Sequence, residues 1–271
     1  MFAGPARLGV ACAVLLSGSA VGMTAAFADE MFFPLRSNYE TVGVEPISTA
    51  DLSVHFNEFT IVDARSEYEY ETLHIEGAES VPLSHSRFDR DVRTLAEKTK
   101  KPLVFYGNGA ACETSYKAAV RALQAGVSSV FVYDAGVFHW AEANPSKASL
   151  LHKEVKSSNQ LISLADFSAH LLAPGRFYSQ VMSDPKAFVL DIREAGQRDG
   201  ISLFHMREVH VALDNGRLAD WVYRAKKENR ALFIVDATGQ QVQWLQYYLE
   251  EEGVSNYWFM KGGAKAFYET L

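Results

Sequence analysis

The stretch that decides the fold is VFYGNGAACETSYKAA, residues 104–119. An apolar run ends at Tyr106, a loop of small residues follows, and a helix-like segment begins at Glu113. The loop consists of Gly107, Asn108, Gly109, Ala110, Ala111 and Cys112. The first N–H groups of a helix have no intrahelical acceptor and attract negative charge. A strand, a tight loop and a helix start therefore predict an anion cradle at residues 107–112, here called the first cradle.

The residues around this loop predict an α/β fold. Short β-rich runs at 60–64, 103–106 and 130–133 are typical of buried strands. Between the last two, ETSYKAAVRALQAG (113–126) predicts a helix that ends at Gly126. This strand–helix–strand order favours a mostly parallel sheet with helices on both faces. Ligands of such sheets bind beyond the carboxyl ends of the strands, which is where the first cradle is expected.

Part of the sequence occurs twice. ISTADLSVHF (47–56) returns as ISLADFSAHL (162–171) with six of ten residues identical, and Ser48 and Ser163 are candidate helix N-caps. Three further landmarks recur at offsets of 128, 129 and 127 residues: Asp63 with Asp191, Gly107 with Asp236, and Gly136 with Gly263. Such steady offsets indicate a duplicated domain.

The duplication predicts the domain boundaries. After an N-terminal segment, 29–46, the first domain spans 47–145, a polar linker spans 146–160, and the second domain spans 161–271. The counterpart of the first cradle, here called the second cradle, consists of Asp236, Ala237, Thr238, Gly239, Gln240 and Gln241.

Residues 1–28 are interpreted as an export signal. Arg7 is the only charge before Asp29, an apolar stretch follows it, and AFA at 26–28 offers the small residues that a signal peptidase reads. Cleavage after Ala28 would make the protein periplasmic or secreted, with no membrane span left. The alternative is an uncleaved membrane anchor, because the apolar stretch is nearly long enough to span a bilayer.

The interpretation predicts the N-terminus of the mature protein. Protein purified from its own host should begin at or near Asp29, which intact mass spectrometry measures. An intact Met1 on protein in the membrane fraction would contradict cleavage and support the anchor.

Composition narrows the function. The chain has 271 residues, 48% of them hydrophobic, and a formal charge of −7, which argues against nucleic acid as a partner. Cleavage would remove Cys12 and leave Cys112 as a lone thiol, so no internal disulfide is expected and the core must supply stability. No set of His, Cys, Asp and Glu shows metal-ligand spacing along the sequence, so neither a metal nor a cofactor is predicted.

Three motifs of the first copy resemble those of the rhodanese superfamily of sulfurtransferases. They are VDAR (62–65), HIEGAESVPL (74–83) and VYDAGVFHW (132–140). The second copy resembles the family more weakly, through VLDIRE, FHMREVHVAL and KGGAKAF. The resemblance implies two tandem rhodanese-like domains, each a mostly parallel sheet flanked by helices.

In active members of the family, a cysteine directly after the cradle strand becomes a persulfide and passes its sulfur on. The matching position here is Gly107, and by alignment Asp236 takes it in the second copy. A second cysteine of the family pattern survives as Cys112, and its sulfur is expected several ångströms from the loop centre. The first cradle also lacks Lys and Arg, and Glu113 would oppose an anion. The resemblance therefore implies two degenerate sites.

Two hypotheses follow. In the first, the protein has no sulfurtransferase turnover and binds an anion or an envelope protein as a binding or regulatory protein. In the second, it is a sulfurtransferase or thiol-redox enzyme that uses Cys112 as sulfur carrier. A cysteine phosphatase is excluded, because its loop needs an arginine where this sequence has Ala118.

Several other residues are predicted to be structural. Ion pairs or caps are expected at the strand ends, at Asp63 with Arg65 and at Asp191 with Arg193. His74 and His205 are expected to stabilise the fold near the site. Helical spacing predicts core positions for Trp244, Tyr247 and Tyr248.

Overall fold

A computed structural model describes residues 31–193, 197–198, 202–213 and 216–271. Residues 32–271 form one compact unit, whereas the predicted export signal, 1–28, lies outside the described residues. The predicted α/β fold is confirmed, because the unit contains two five-stranded parallel sheets flanked by helices. No helix within the described ranges has the length and apolar character needed to cross a bilayer.

The strands are short, with two to four residues each. They are β1 (Glu45–Pro46), β2 (Thr60–Asp63), β3 (Leu73–Ile75), β4 (Glu79–Ser80), β5 (Leu103–Tyr106), β6 (Val130–Tyr133), β7 (Ala148–Leu150), β8 (Lys153–Glu154), β9 (Leu171–Leu172), β10 (Phe188–Asp191), β11 (Glu208–His210), β12 (Leu232–Val235) and β13 (Tyr257–Met260). The predicted strands at 60–64, 103–106 and 130–133 are β2, β5 and β6, with β2 one residue shorter than expected.

The helices alternate with these strands. They are α1 (Arg36–Tyr39), α2 (Thr49–Val54), α3 (Glu67–Thr72), α4 (Phe88–Thr99), α5 (Thr114–Gln124), α6 (Gly136–Ala143), α7 (Leu164–Ala169), α8 (Pro174–Ser183), α9 (Arg217–Glu228), α10 (Gln241–Glu251) and α11 (Gly263–Tyr268). Short 3₁₀ turns lie at Glu40–Val42, Phe56–Glu58, Pro145–Lys147 and Ser158–Gln160.

The two sheets have the same strand order. The first runs β1-β6-β5-β2-β4 and the second runs β9-β13-β12-β10-β11, with every neighbouring pair parallel. Apolar side chains on both faces bury each sheet against its helices. The common order shows that the two halves share one fold, as the recurring landmarks predicted.

The repeated decapeptide does not mark equivalent places in the two halves. Both copies begin a short helix, and the predicted caps are confirmed, since Ser48 Oγ accepts the Asp51 N–H and Ser163 Oγ accepts the Asp166 N–H, both at 3.1 Å. However, α2 follows the edge strand β1, whereas α7 precedes the equivalent strand β9, and α8 takes the place of α2. The decapeptide therefore predicts a capped helix, but it does not predict whether that helix precedes or follows the edge strand of the sheet.

The segment predicted as a linker, 146–160, contains a β-hairpin. Its strands β7 and β8 are antiparallel, and β7 also pairs with β3 to form a three-stranded sheet. Leu151 and His152 connect them with positive φ angles of 48° and 63°, as a two-residue type I′ turn requires. Ala148 and Val155 are fully buried. The sequence did not predict this hairpin, because strands of two or three residues are too short to show a hydrophobic pattern.

Helix α10 connects the two halves. Its Trp244 is buried, stacks on Phe138 of α6 with ring centroids 4.8 Å apart, and lies 4.9 Å from the Arg65 guanidinium carbon. The predicted core positions of Trp244 and Tyr247 are confirmed, and Tyr248 is partly buried. Aromatic packing of this kind removes a large apolar area from water, so the halves are held together by a shared core contact.

Candidate anion cradles at the carboxyl ends of the two sheets

The first cradle lies where the sequence predicts it, at the carboxyl end of β5, between β2 and β6. Gly107 is buried, and helix α5 begins after the loop with Glu113 at its N-cap position. The Glu113 side chain makes no capping bond, and within the loop the Cys112 N–H donates to the Gly109 carbonyl at 2.9 Å. The helix start therefore has no side-chain acceptor at its cap, and its dipole favours a negative group there.

The Cys112 thiol borders the position that a side chain on Gly107 would occupy. A Cβ added to Gly107 would lie 3.3 Å from the Cys112 Sγ and 3.8 Å from the Cys112 Cβ. Cys112 is partly buried, and its Sγ lies 3.4 Å from the Thr114 hydroxyl. Although Cys112 ends the loop in sequence, the turn closed by its own N–H brings its sulfur back to the loop's first residue. The thiol therefore lies beside the place that a side chain on Gly107 would take.

This proximity predicts a disulfide in Gly107→Cys. A Cβ–Cβ distance of 3.8 Å matches the usual spacing of bridged cysteines, about 3.8 Å. Gly107 is not among the residues of positive φ, so a side chain adds no backbone strain there. In protein without residues 1–28, and therefore without Cys12, we expect Gly107→Cys to lose both free thiols under air oxidation, measured by thiol titration and by mass. The control Gly107→Cys/Cys112→Ser should retain one titratable thiol; two persistent thiols in the single variant would contradict the geometry.

The negative charge of Glu113 is compensated. Its carboxylate lies 2.5 Å from the Lys117 ammonium, one turn further along α5. A hydrogen bond and the charge of Glu113 raise the pKa of Lys117, so the lysine stays protonated at neutral pH. Both side chains are exposed, and such a pair adds little stability. It does reduce the repulsion that Glu113 was expected to exert on an anion at the first cradle.

The buried side chain of Arg65 contacts the first cradle through Asn108. Arg65 donates to both carboxylate oxygens of Asp63, at 2.9 and 2.5 Å, and to the Leu73 carbonyl at 2.6 Å. A further bond at 3.2 Å reaches the Asn108 Oδ1, whose amide nitrogen donates to Glu69 at 2.8 Å. Burial alone would lower the pKa of Arg65, but the charge and hydrogen bonds of Asp63 raise it above its usual value. The predicted ion pair of Asp63 and Arg65 is therefore confirmed, and it also orients the cradle residue Asn108.

The second cradle holds an acceptor of its own. Asp236 follows β12 directly and is fully buried. Its Oδ1 accepts the Gly239 N–H at 2.6 Å, and its Oδ2 accepts the Gln241 N–H, at the start of α10, at 2.8 Å. Burial raises the pKa of Asp236, while these backbone donors lower it, and burial has the larger effect. The place of an external anion is thus taken by a carboxylate of the chain itself.

One glycine, at the start of the helix that follows the neighbouring strand, packs against each cradle loop. Gly136 and Gly263 have φ angles of 80° and 62°. A Cβ on Gly136 would lie 2.4 Å from backbone atoms of Gly109, and one on Gly263 would lie 2.5 Å from the Thr238 nitrogen. Beside these contacts, the Val137 N–H donates to the Gly107 carbonyl at 3.0 Å, which ties the first loop to α6. Both loops therefore depend on a residue without a side chain.

The remaining candidates have different positions. The Arg193 guanidinium lies 2.7 Å from the buried Asp191 carboxylate, which confirms the second predicted ion pair. His74 is buried and its Nδ1 lies 2.7 Å from the Tyr70 carbonyl, in keeping with a role in the fold. His205, in contrast, is exposed, so its predicted structural role is not supported. Sequence reasoning missed Glu69, because an acid on a short polar helix looks like a solvated surface residue.

Comparison with known proteins identifies the first half. Residues 48–143 match the family described as rhodanese-like domain. This segment is a rhodanese-like domain. The chain thus carries a domain of the rhodanese superfamily, and its two parallel sheets have the architecture of two such domains in tandem. Gly107 directly follows β5 and Asp236 directly follows β12, so the two residues have equivalent positions after the cradle strands.

Solved structures include similar folds. The BH2092 protein of Bacillus halodurans is 23% identical, with 43% of this chain and 84% of that chain covered and a TM-score of 0.35. A thiosulfate sulfurtransferase of Pseudomonas aeruginosa is 17% identical over 84% of this chain and 42% of that chain, with a TM-score of 0.38. The rhodanese-like domain of the Anabaena protein Alr3790 is 23% identical over 40% of this chain and 82% of its own, with a TM-score of 0.32. No curated protein sequence matches the chain.

Proposed function

We propose that this chain is an exported tandem rhodanese-like protein that lacks sulfurtransferase turnover and binds a small anion, or the acidic group of a partner protein, at its first cradle. The observation that carries the proposal is the residue after each cradle strand. Gly107 has no side chain, and Asp236 has a carboxylate that cannot form a persulfide. Neither position offers the thiol that sulfur transfer in this family requires.

The second cradle indicates what the first would bind. There, two backbone N–H groups converge on one carboxylate, that of Asp236. The first cradle shares the strand, the loop and the helix start, but Gly107 supplies no acceptor. A carboxylate or a small oxyanion would provide the missing acceptor, with the helix dipole adding favourable electrostatics.

Export is supported by the sequence alone. The pattern of residues 1–28 is that of a secretory signal, and its cleavage would leave a mature chain with one cysteine and a charge of about −8. A chain without a disulfide partner must be stabilised by its core, and the two packed sheets supply one. The N-terminal mass measurement described above tests this part of the proposal.

Wild-type protein should produce no thiocyanate from thiosulfate and cyanide above the uncatalysed background. The reason is that neither Gly107 nor Asp236 has a thiol. The Cys112 thiol is attached five residues beyond Gly107, and the reactivity of a group falls steeply when it is misplaced by about 1 Å. Colorimetric thiocyanate measurement on wild type and on Cys112→Ser tests the expectation. Robust wild-type turnover that disappears in Cys112→Ser would overturn the non-catalytic proposal.

The position of Cys112 favours a second candidate function. Its sulfur lies 3.3 Å from the site of a Gly107 Cβ, close to the start of α5. As a thiolate it would attack the outer sulfur of thiosulfate, the S–S bond would break, and sulfite would leave with the bonding electron pair, so that a persulfide remains on Cys112. The same pair of proteins separates the candidates, because mass spectrometry after thiosulfate treatment detects a gain of one sulfur atom that Cys112→Ser cannot show.

A further inference from the structure

We propose that Asp191, Glu208 and His210 form a binding site for a divalent metal ion of the zinc class at the edge of the second sheet. One ligand atom from each residue lies within 4.8 Å of the others. The site is separate from both cradle loops and does not depend on the function proposed for them.

Strand register brings the three side chains together. Strands β10 and β11 are parallel, and Asp191 is paired with His210 at their carboxyl ends. Paired residues of neighbouring strands point to the same face, and so do residues two apart along one strand. Glu208 lies two positions before His210 and therefore shares the face of Asp191. The sequence hides this set because its members are 17 and 2 residues apart along the chain.

An unpartnered acceptor points into the site. The Glu208 side chain is only 3% exposed, and its Oε2 accepts the N–H groups of Leu203 and Phe204 at 3.0 and 2.9 Å. Its Oε1 is buried and has no hydrogen-bond partner among the described residues. Leaving a buried charged acceptor unsatisfied is costly, typically more than 1–3 kcal/mol. A cation at this oxygen would supply the missing partner.

The two carboxylates lie on either side of the His210 ring, each near a different ring nitrogen, and the distance to Asp191 is close to that between two ligands of one ion. His210 Nδ1 lies 3.1 Å from Asp191 Oδ2, and His210 Nε2 lies 3.8 Å from Glu208 Oε1. Two ligands of a tetrahedral zinc ion are about 3.3 Å apart when the bonds are about 2.0 Å. A small rotation of His210, whose side chain is 46% exposed, would bring one ring nitrogen into reach of an ion held by both carboxylates.

The charges suit a divalent ion. Asp191 and Glu208 contribute two negative charges, and Arg193 contributes one positive charge through its bonds to Asp191 at 2.9 and 2.7 Å. These bonds orient Asp191, while its Oδ2 also faces the imidazole. Three protein ligands leave a coordination position for water on the exposed side of His210. An imidazole nitrogen in the set favours zinc over magnesium, which prefers oxygen ligands.

The first sheet lacks this arrangement. In β4, Ser80 pairs with Asp63 as His210 pairs with Asp191, and Ala78 lies two positions before it, where β11 has Glu208. The ion pair at the strand end is thus common to both halves, whereas the two additional ligands occur in the second. This difference separates the site from a general requirement of the fold.

Calorimetric titration of the purified protein with Zn²⁺ tests the site. We expect one bound ion per chain, weaker binding of Mg²⁺, and a visible absorption band when Co²⁺ is used as a spectroscopic probe. Replacing groups that merely orient metal ligands costs roughly 10–100-fold in affinity. His210→Ala and Glu208→Gln, which remove ligands, should each weaken Zn²⁺ binding by at least that factor.

His152→Ala is the matched control. His152 is exposed, lies 3.2 Å from the Glu71 carboxylate and belongs to no candidate ligand group among the described residues, so Zn²⁺ binding should be unchanged. Circular dichroism verifies folding, and if Glu208→Gln fails to fold, His210→Ala decides, because His210 is half-exposed. The proposal is wrong if no saturable Zn²⁺ binding occurs below about 1 mM, if His210→Ala binds like wild type, or if Mg²⁺ binds as tightly as Zn²⁺.

Discussion

Arg65→Leu should lower the free energy of unfolding by about 3–5 kcal/mol, the usual cost of removing one partner of a buried ion pair. Both side chains of the pair are almost completely buried, at 1% and 0% exposure. Without the guanidinium, the Asp63 carboxylate would keep the Tyr106 hydroxyl, 2.5 Å away, as its main side-chain donor. The change would also remove the contact with Trp244 of the other half. Urea unfolding monitored by tryptophan fluorescence measures the loss.

Two variants make this result interpretable. Arg90→Leu removes an exposed arginine paired with Asp91 at 3.1 Å and should change stability by less than about 1 kcal/mol. The double variant Asp63→Asn/Arg65→Leu no longer buries an unpaired charge and should recover part of the loss. If Arg65→Leu were as stable as Arg90→Leu, the pair would have no structural importance.

Gly136→Ala should cost roughly 2–4 kcal/mol, because two of the known mechanisms of severe destabilisation coincide there. An alanine at a φ of 80° is strained, and its Cβ would lie 2.4 Å from the backbone of Gly109. The loop must therefore move, so the first cradle should be distorted as well as destabilised. Thermal unfolding gives the stability change, and the rate of Cys112 alkylation reports the altered loop.

Gly77→Ala is the matched control for this change. Gly77 has a nearly equal φ of 74°, but no atom lies within 4 Å of an added Cβ. It should show the backbone strain without the clash, about 1–2 kcal/mol. Equal losses in Gly77→Ala and Gly136→Ala, with unchanged Cys112 reactivity, would show that Gly136 does not close the cradle.

Local signals in the sequence were sufficient for several elements of the first half and for two helix caps. The buried strand before Gly107 and the caps at Ser48 and Ser163 depend on residues within a few positions of each other, so patterns reveal them. The position of the first cradle followed from this order of elements. The hairpin β7–β8 could not be predicted in the same way, because its strands have two or three residues and gain their burial from β3.

The details of the sites depend on contacts that no local pattern encodes. Cys112 approaches the position of a Gly107 side chain because a turn closes on the Gly109 carbonyl, a contact that the order of residues does not state. Asp191 and His210 meet through strand register, which the sequence does not state. The landmark alignment singled out Asp236, which directly follows β12, but the bonds that it accepts from two backbone N–H groups depend on the three-dimensional path of the loop.

The buried carboxylate of Asp236 has a consequence for how the two cradles respond to solutes. A group tethered at its own binding site acts at an effective concentration in the millimolar range or above, even with a flexible connection. Asp236 is held far more rigidly, since its own strand presents it to the Gly239 and Gln241 N–H groups. A dissolved anion at micromolar concentration would therefore compete poorly with the Asp236 carboxylate for these two N–H groups. Under the proposed function, Asp236 therefore keeps the second cradle occupied, and a dissolved anion would bind at the first.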